Sequence, residues 1–600
     1  MTNAQPHEAR LPTGPLGQPH WFGGADRPRF SMLHWPTRPV RGGVVLCPPL
    51  AQEAVCAHRS LRVMAERLSA EGFAVMRIDL DGTSNSIGCS TDPDRVGSWR
   101  ASIVDALDQL RSWEVGPLQL VGLRFGATLA NQVAAEVLAG VAGEGGSGDD
   151  GEGGSGDDGG EGGSGEGGGT AGVDDLAGVV LWDPIVSGRR YSRELQLFSS
   201  ASGLRPPPDG GISLAGIEFD TDALKQIKAV ALRALECPTL LVTRTERADL
   251  DGEIDLDALG ARTELRALPG TDAMLDTDVE LSVVPLGLVE QIVEWVADHA
   301  PARPTATFVP SPPLTSVAHE PVGDDVLVHS ARRVGPDDVF VITTTLQGAA
   351  PTQALIMLNN GLAPSIGPGR AWVELARRAA LLGWTAARLD LGGIGDSPPE
   401  RGVVATTAPA DSYPICAAHD VSLVVDDLRS SGIGSFASAG LCSGALLSFD
   451  ATTATDIDLL ISINGRFDRP YTDPRRDRVE RAAKPTNRLL AIPLSKTPLL
   501  ASFGRVPVPV WRSLDHLHLV ADPTTAIRRA ASEGRQVLLL SGEDEWGLLA
   551  LRTRGGRRFD RVLADPHVTL RIVDGLDHSM FDVQARREVL DVVLSALQQR

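Results

Sequence analysis

The residues of this chain with the clearest chemical meaning are Gly440-Leu441-Cys442-Ser443-Gly444. Phe436-Ala-Ser-Ala precedes them and Ala445-Leu-Leu follows, so they read as a strand end, a sharp turn and a helix start. A turn that lifts its central side chain clear of a sheet strains that residue's backbone and leaves no room for bulk beside it, which is why glycines flank it. The Cys442 sulfur is then expected at the first turn of the helix, where the dipole and free N–H groups favour thiolate. Presented that way, a thiolate is a nucleophile for a carbonyl carbon. The other five cysteines, Cys47, Cys56, Cys89, Cys237 and Cys416, make no Cys-x-x-Cys pair and have no histidine at zinc-ligand spacing. They read as packing residues, and no metal or redox cofactor is implied.

The elements that must position Cys442 are those of an α/β protein. From Arg29 the pattern predicts strands at 30–34 and 44–46, a helix over 60–71, a strand at 73–79, a helix over 99–115 and a strand at 118–121. Strands follow at 178–183 and 239–243, with a closing helix over 286–299. A second run opens near Val322, with strands at 326–329, 339–343 and 354–358. Six hundred residues suit two domains. The expected boundaries are a flexible arm over 1–28, a first domain over 29–300, a proline-rich linker over 301–321 and a second domain over 322–600. Within the first, 143–169 is an acidic Gly-rich insertion that cannot offset its ordering entropy and is expected to be disordered. Within the second, about 467–533 is expected to cap the site.

The two runs repeat each other. Arg59 precedes Asp79 by 20 residues and Arg370 precedes Asp390 by 20; Ser86 and Ser397 each follow their aspartate by 7. Gly122-Leu-Arg124-Phe-Gly126 lines up with Gly440-Leu-Cys442-Ser-Gly444. The chain is an internal duplication of one α/β unit. Because the copy without a nucleophile keeps them, Arg370 and Asp390 are expected to pair structurally or to start a helix.

The order of strands, Gly-Gly loop, elbow and following helix resembles the α/β-hydrolase superfamily, nearest its serine-aminopeptidase-like branch. The first half, with Leu-Cys47-Pro-Pro-Leu, Gly-Leu-Arg124-Phe-Gly and Leu-Trp-Asp183-Pro, is similar to hydrolase-like proteins that accompany exosortase systems. The resemblance implies two tandem α/β-hydrolase-like domains, each a mostly parallel central sheet flanked by helices. It also implies the chain order nucleophile, acid, histidine. On that order Cys442 is the nucleophile, Asp544 in Ser541-Gly-Glu543-Asp544 the orienting acid with Glu543 as fallback, and His578 in Gly575-Leu-Asp577-His578 the base. The oxyanion donors are then the N–H of Ser443 and one from Gly361 or Leu362 in the Asn359-Asn360-Gly361-Leu362 loop.

In the first half the same positions hold Arg124, Glu246 and Asp272. An arginine stays protonated and cannot attack a carbonyl, so this half reads as a pseudo-enzyme. Arg124 either makes a salt bridge or binds an anionic group such as a carboxylate, a phosphate or a carrier's phosphopantetheine.

The implied activity is an acyl ester or thioester hydrolase, or an acyltransferase, with a small-molecule or carrier-bound acyl substrate such as acyl-CoA or an acyl-carrier protein. A peptidase and a non-catalytic scaffold remain open alternatives. A net charge of −21 argues against nucleic acid. The absence of an 18-residue apolar run argues against a membrane span, and the polar, proline-rich start implies a cytoplasmic protein. Oligomeric state is not legible.

Overall fold

The computed structural model describes residues 10–11, 14–140, 176–207, 210–245, 254–300, 310–400, 405–409, 411–467 and 522–600. The expected insertion, positions 468–521 of the expected cap, and Glu246 lie outside the described residues; the end of the expected cap is instead the helix Thr525–Ser532, which packs into the core of the second half. The first half carries β1 (Gln18–Phe22), β2 (Arg29–His34), β3 (Gly42–Cys47), β4 (Phe73–Ile78), β5 (Leu118–Leu123) and β6 (Leu176–Trp182). A small hairpin, β7 (Ile212–Leu214) and β8 (Ile217–Phe219), precedes β9 (Thr239–Arg244) and β10 (Thr263–Leu268). Its main sheet runs β1-β2-β4-β3-β5-β6-β9-β10. β1 and β2 are the antiparallel strands at one edge and the rest are parallel.

The second half repeats this plan with β11 (Val317–Val322), β12 (Asp325–Val334), β13 (Val339–Leu346), β14 (Gln353–Met357), β15 (Thr385–Leu389), β16 (Ser435–Leu441), β17 (Leu459–Ile463), β18 (Gln536–Ser541) and β19 (Val568–Ile572). Its order is β11-β12-β13-β15-β14-β16-β17-β18-β19. Without β11, the two orders superimpose strand for strand. The central strands are continuous apolar runs because helices cover both faces of each sheet.

The sequence pattern placed most elements within a few residues. The helix expected over 60–71 spans Ala51–Ala70. Its first turns are alanine-rich and partly exposed, so they have helix propensity without an apolar stripe to betray them. Two boundaries are corrected. Residues 18–22 are not an arm but strand β1, paired antiparallel to β2. The second sheet begins at Val317 rather than near Val322, and Trp21 N–H donates to Thr315 C=O (2.8 Å), so the end of the linker lies along β1. Among the described residues no helix is long and apolar enough to cross a membrane.

The repeated spacings have a physical basis. Ser86 Oγ donates to the carbonyl of Asp79 (2.7 Å) and accepts from Phe30 N–H (2.9 Å). Ser397 does the same with Asp390 (2.6 Å) and Phe340 (2.8 Å). Each aspartate in turn accepts an N–H six residues on, from Asn85 (3.0 Å) and Asp396 (2.8 Å). These twin loops meet across an interface between the halves.

The interface is related by an approximate two-fold axis. Phe30 and Phe340 face each other across it with ring centroids 6.1 Å apart. Around them Trp21, Met32 and Ile87 of the first half pack on Ala318, Ala331 and Ile342 of the second. Arg77 pairs with Asp396, while Arg388 donates to Asn85 (2.9 Å) at the equivalent positions. Arg370 donates to the carbonyls of Gly82 (2.6 Å), Ser84 (2.9 Å), Ser86 (2.8 Å) and Gly88 (3.0 Å). Arg62 answers with Gly395 (2.7 Å) and Ser397 (3.0 Å). Arg370 stands at the start of the helix Ala371–Leu381 but does not pair with Asp390; it grips the other half. Burial pulls Arg370 down to about 10. Burial also opposes the charge of Asp396, yet Arg77 and His58 hold it well below the usual carboxylate range.

Replacing Arg77 by methionine strands the buried Asp396 and should cost about 3–5 kcal/mol in urea unfolding. The double variant Arg77→Met/Asp396→Leu should recover most of that loss, since it removes the uncompensated charge with its partner.

Candidate active site

β16 ends at Leu441, Cys442 adopts φ 54° and ψ −110°, and the helix Ser443–Ala451 begins at once. Such a positive φ is rare for a residue with a side chain and stores strain, which the surrounding structure must over-determine. It does so by hydrogen bonding, as Cys442 N–H donates to Ile463 C=O (3.0 Å). It does so also by crowding. A Cβ on Gly440 would collide with the Gly444 backbone, and one on Gly444 with the Asn359 carbonyl. In the first half Arg124 has φ 54° and ψ −122°, and its N–H donates to Trp182 C=O (2.9 Å). Both halves therefore build the same elbow.

His578 lies on the loop after β19, with its imidazole beside the Cys442 side chain. Its Nδ1 donates to Glu545 Oε2 (3.0 Å) and Oε1 (3.1 Å). The expected acid Asp544 is thus corrected to Glu545. Gly542 N–H is held by Asn464 Oδ1 (3.1 Å), the chain then turns Glu543 and Asp544 outward, and Glu545 comes back beneath the ring at 9% exposure. The extra methylene of glutamate gives the reach. Asp577 faces away from the imidazole, accepting from Ser579 N–H (3.0 Å) and Asp582 N–H (2.7 Å) to fold the loop.

Asn464 was not legible in the sequence. Buried at the end of β17 with φ 45°, it donates through Nδ2 to the carbonyls of Asp577 (2.9 Å) and His578 (3.2 Å). One side chain thus ties the acid loop to the histidine loop.

The loop expected to supply an oxyanion donor lies beside the elbow. Gly361 lies against the elbow, but its N–H donates to Ser443 Oγ (2.8 Å), so a substrate oxygen must displace that hydroxyl. Leu362 turns its side chain to the core rather than to the sulfur. Asn359 fixes the loop by donating to Asp390 (2.9 Å) and Ala363 C=O (3.0 Å) and accepting from Leu391 N–H (2.7 Å). Ser443 begins the helix, where its backbone N–H belongs to the unpaired first turn.

In the first half the corresponding space is filled with charge. Arg124, 8% exposed, donates to Glu53 (2.8 Å) and Asp183 (3.2 Å). Arg244 donates to the same Asp183 (2.6 Å), to Asp276 (2.7 Å) and to Asp272. Burial opposes the charge on Arg124, but Glu53 and Asp183 outweigh it and the guanidinium is held above its ordinary range. Of the two expectations for Arg124, the geometry supports the salt bridge; its charge is already met, which leaves the anion-binding reading without support. Asp272, at the histidine position, is an ion-pair partner of Arg244.

Two sheets of matching strand order, each with an elbow after its fifth matching strand, settle the architecture. Each half has the α/β-hydrolase fold. No family model matches the chain, and no curated protein sequence does. Among solved structures the chain is similar to Est1E from Butyrivibrio proteoclasticus, at 12% identity and TM-score 0.31 over 47% of this chain and 98% of that one. It is also similar to a thermophilic esterase from Thermogutta terrifontis, at 14% identity and TM-score 0.28 over 45% and 98%. A third likeness is to an a/b serine hydrolase without lid from Xanthomonas campestris, at 16% identity and TM-score 0.26 over 45% and 92%. Superpositions this loose carry no residue roles across.

Hydrogen bonds to Cys442 and then to Glu545 push His578 up to about 10, against the opposing effect of burial. A raised histidine contributes stability that is complete below its unfolded value of 6.5 and lost as pH climbs through the folded one. The stability difference between wild type and His578→Gln should therefore be largest below pH 6.5 and vanish by about pH 10.5. With the His578 side chain 45% exposed, solvent screening should keep the difference to about 1 kcal/mol or less. Urea titrations across that range check both sign and size.

Proposed function

We propose that the second half is an acyl ester or thioester hydrolase, or acyltransferase, acting through Cys442, His578 and Glu545, and that the first half is its inactive copy. The observation that carries this reading is the His578 imidazole beside the elbow thiol with its Nδ1 hydrogen-bonded to a buried carboxylate, an arrangement present in one half and replaced by ion pairs in the other. The α/β-hydrolase fold agrees with a hydrolase.

The chemistry runs in two steps. The Cys442 sulfur, its proton held by His578, attacks the acyl carbon. The oxyanion of the tetrahedral adduct lies beside the helix N-terminus at Ser443, where first-turn N–H groups and the dipole stabilise it. When the adduct collapses, the bond to the leaving alkoxide or thiolate breaks and His578 gives that group its proton. This leaves acyl-Cys442 and neutral imidazole. Water or an acceptor alcohol or thiol then attacks, His578 takes its proton, and the acid or new ester departs from the sulfur. Glu545 fixes the ring and balances the charge of the imidazolium. Since acyl-cysteine is itself a thioester, exchange with a thioester substrate is close to energy-neutral, so acyl-CoA and acyl-carrier thioesters fit this site as donors.

Intact-mass analysis after exposure to p-nitrophenyl acetate should show one acetyl adduct, mapped to Cys442 and lost in His578→Ala. Adducts spread over all six thiols, or none, would favour a scaffold; cleavage of short peptides in place of esters would favour a peptidase. Glu545→Gln should lower kcat/KM for esters by about 10²-fold or more, while Asp544→Asn should stay within about twofold of wild type. The reverse ranking would return the acid to Asp544.

A further inference from the structure

A cavity of about 150 Å³ lies between the two halves, next to the loops that carry the candidate active site. On the second half its wall includes Asn360, adjacent to Gly361, and Ser579, adjacent to His578, together with Ile366 and Phe581. On the first half it includes Ala215, Ile217 and Val279. Of the polar groups in the lining, His58, Arg77 and Asp396 are joined to one another and Arg370 is held by backbone carbonyls, while Asp278 and Glu280 bring acidic groups to the first-half side. Asn360 Oδ1 is buried without a hydrogen-bond partner, an acceptor that a ligand's O–H or N–H can satisfy.

Part of the first-half wall is the tip of the β7–β8 hairpin, and it is built to stay there. Ala215 and Gly216 both take positive φ, 47° and 81°, as a tight two-residue hairpin requires. A Cβ on Gly216 would lie 3.2 Å from Gly369 Cα and 3.5 Å from Phe581 Cα, so the tip docks backbone to backbone on the second half. Two ion pairs flank it. Arg205 holds Asp582 bidentately (2.8 and 2.6 Å), and Arg587 reaches back to Glu218 (2.8 Å). Asp582 is also the residue whose N–H is bound by Asp577, so the hairpin's anchor is wired to the His578 loop.

We propose that this cavity is the acyl-binding pocket of the Cys442 site, and that the hairpin of the inactive half closes it and sets the acyl length. The proposal rests on the function given above. Where Ile217, Val279, Ile366 and Phe581 line it the cavity is apolar, and its volume has room for a group about the size of benzene, so the pocket takes an acyl chain or aryl-acyl group of about six carbons against that wall. The retired half is thereby retained as the wall of its twin's substrate site.

The test uses the full-length chain, wild type and with Ile217→Trp or Ile217→Ala, on p-nitrophenyl acetate, butyrate, hexanoate and decanoate. Wild type should prefer hexanoate. Ile217→Trp should lower the hexanoate-to-acetate ratio of kcat/KM about tenfold or more, and Ile217→Ala should move the optimum to a longer chain. Hexanoate itself, added as the free acid, should raise the Tm of wild type and not of Ile217→Trp, a readout independent of turnover. Active enzyme whose chain-length profile is the same in all three proteins, with no hexanoate shift, overturns the pocket. A hexanoate shift in wild type that Ile217→Trp abolishes, without turnover of any ester, keeps the pocket and overturns the catalytic reading instead.

Discussion

The structure depends on arginines exchanged across the contact between its halves. Arg370, Arg388, Arg62 and Arg77 each leave one sheet's surroundings and donate to the loop that follows β4 or β15 in the other. Burying a guanidinium is expensive unless its donors find acceptors. Arg370 meets that condition with four carbonyls of a single loop, an arrangement available only when the halves sit at one angle. The loops are in turn shaped by Asp79 and Asp390 and closed by Ser86 and Ser397. Precision in the loops therefore sets precision in the contact, and the contact places the β7–β8 hairpin beside His578.

The two elbows show how little separates a turn that presents a thiol from one filled with charge. The backbone strain is alike at Arg124 and Cys442, which share φ 54° and have ψ of −122° and −110°. The difference lies in what must accompany each side chain. A buried guanidinium demands counter-charges, and Glu53 and Asp183 supply them. Asp183 ends β6 where Asn464 ends β17, so the same structural position serves two opposite needs. As asparagine it presents both a donor and an acceptor, and can bind a carbonyl and an N–H at once. As aspartate it only accepts, and draws in Arg124 and Arg244. A nucleophile placed at residue 124 alone would leave Glu53 without its cation and Asp183 with Arg244 only.

Much of this was legible in the sequence because it is local. The duplication, the strands and the elbow at Cys442 follow from spacing and glycine placement, and the position of His578 from the order of elements. What was missed depends on contacts distant in sequence. Three consecutive acids, Glu543, Asp544 and Glu545, look alike as text; which one turns inward is decided by Asn464, nearly eighty residues earlier. Arg244 is an unremarkable strand end until Asp183, Asp272 and Asp276 are brought around it. Residues 18–22 carry no strong strand signal of their own; the antiparallel register with β2 makes them one. The spacing of Ser86 and Ser397 from their aspartates was visible, but its purpose, closing a loop that another domain grips, was not.

The meeting of Phe30 with its own counterpart Phe340 is the mark of an isologous contact, the kind two identical subunits make with each other. Joined in one polypeptide, such a pair no longer depends on dilution, because the linker keeps each partner at high effective concentration. It also escapes the rule that binds a true homodimer, in which every substitution strikes both copies together. One copy is then free to trade its own chemistry for the shape of its neighbour's surroundings, and the asymmetry that follows is inherited as a single gene.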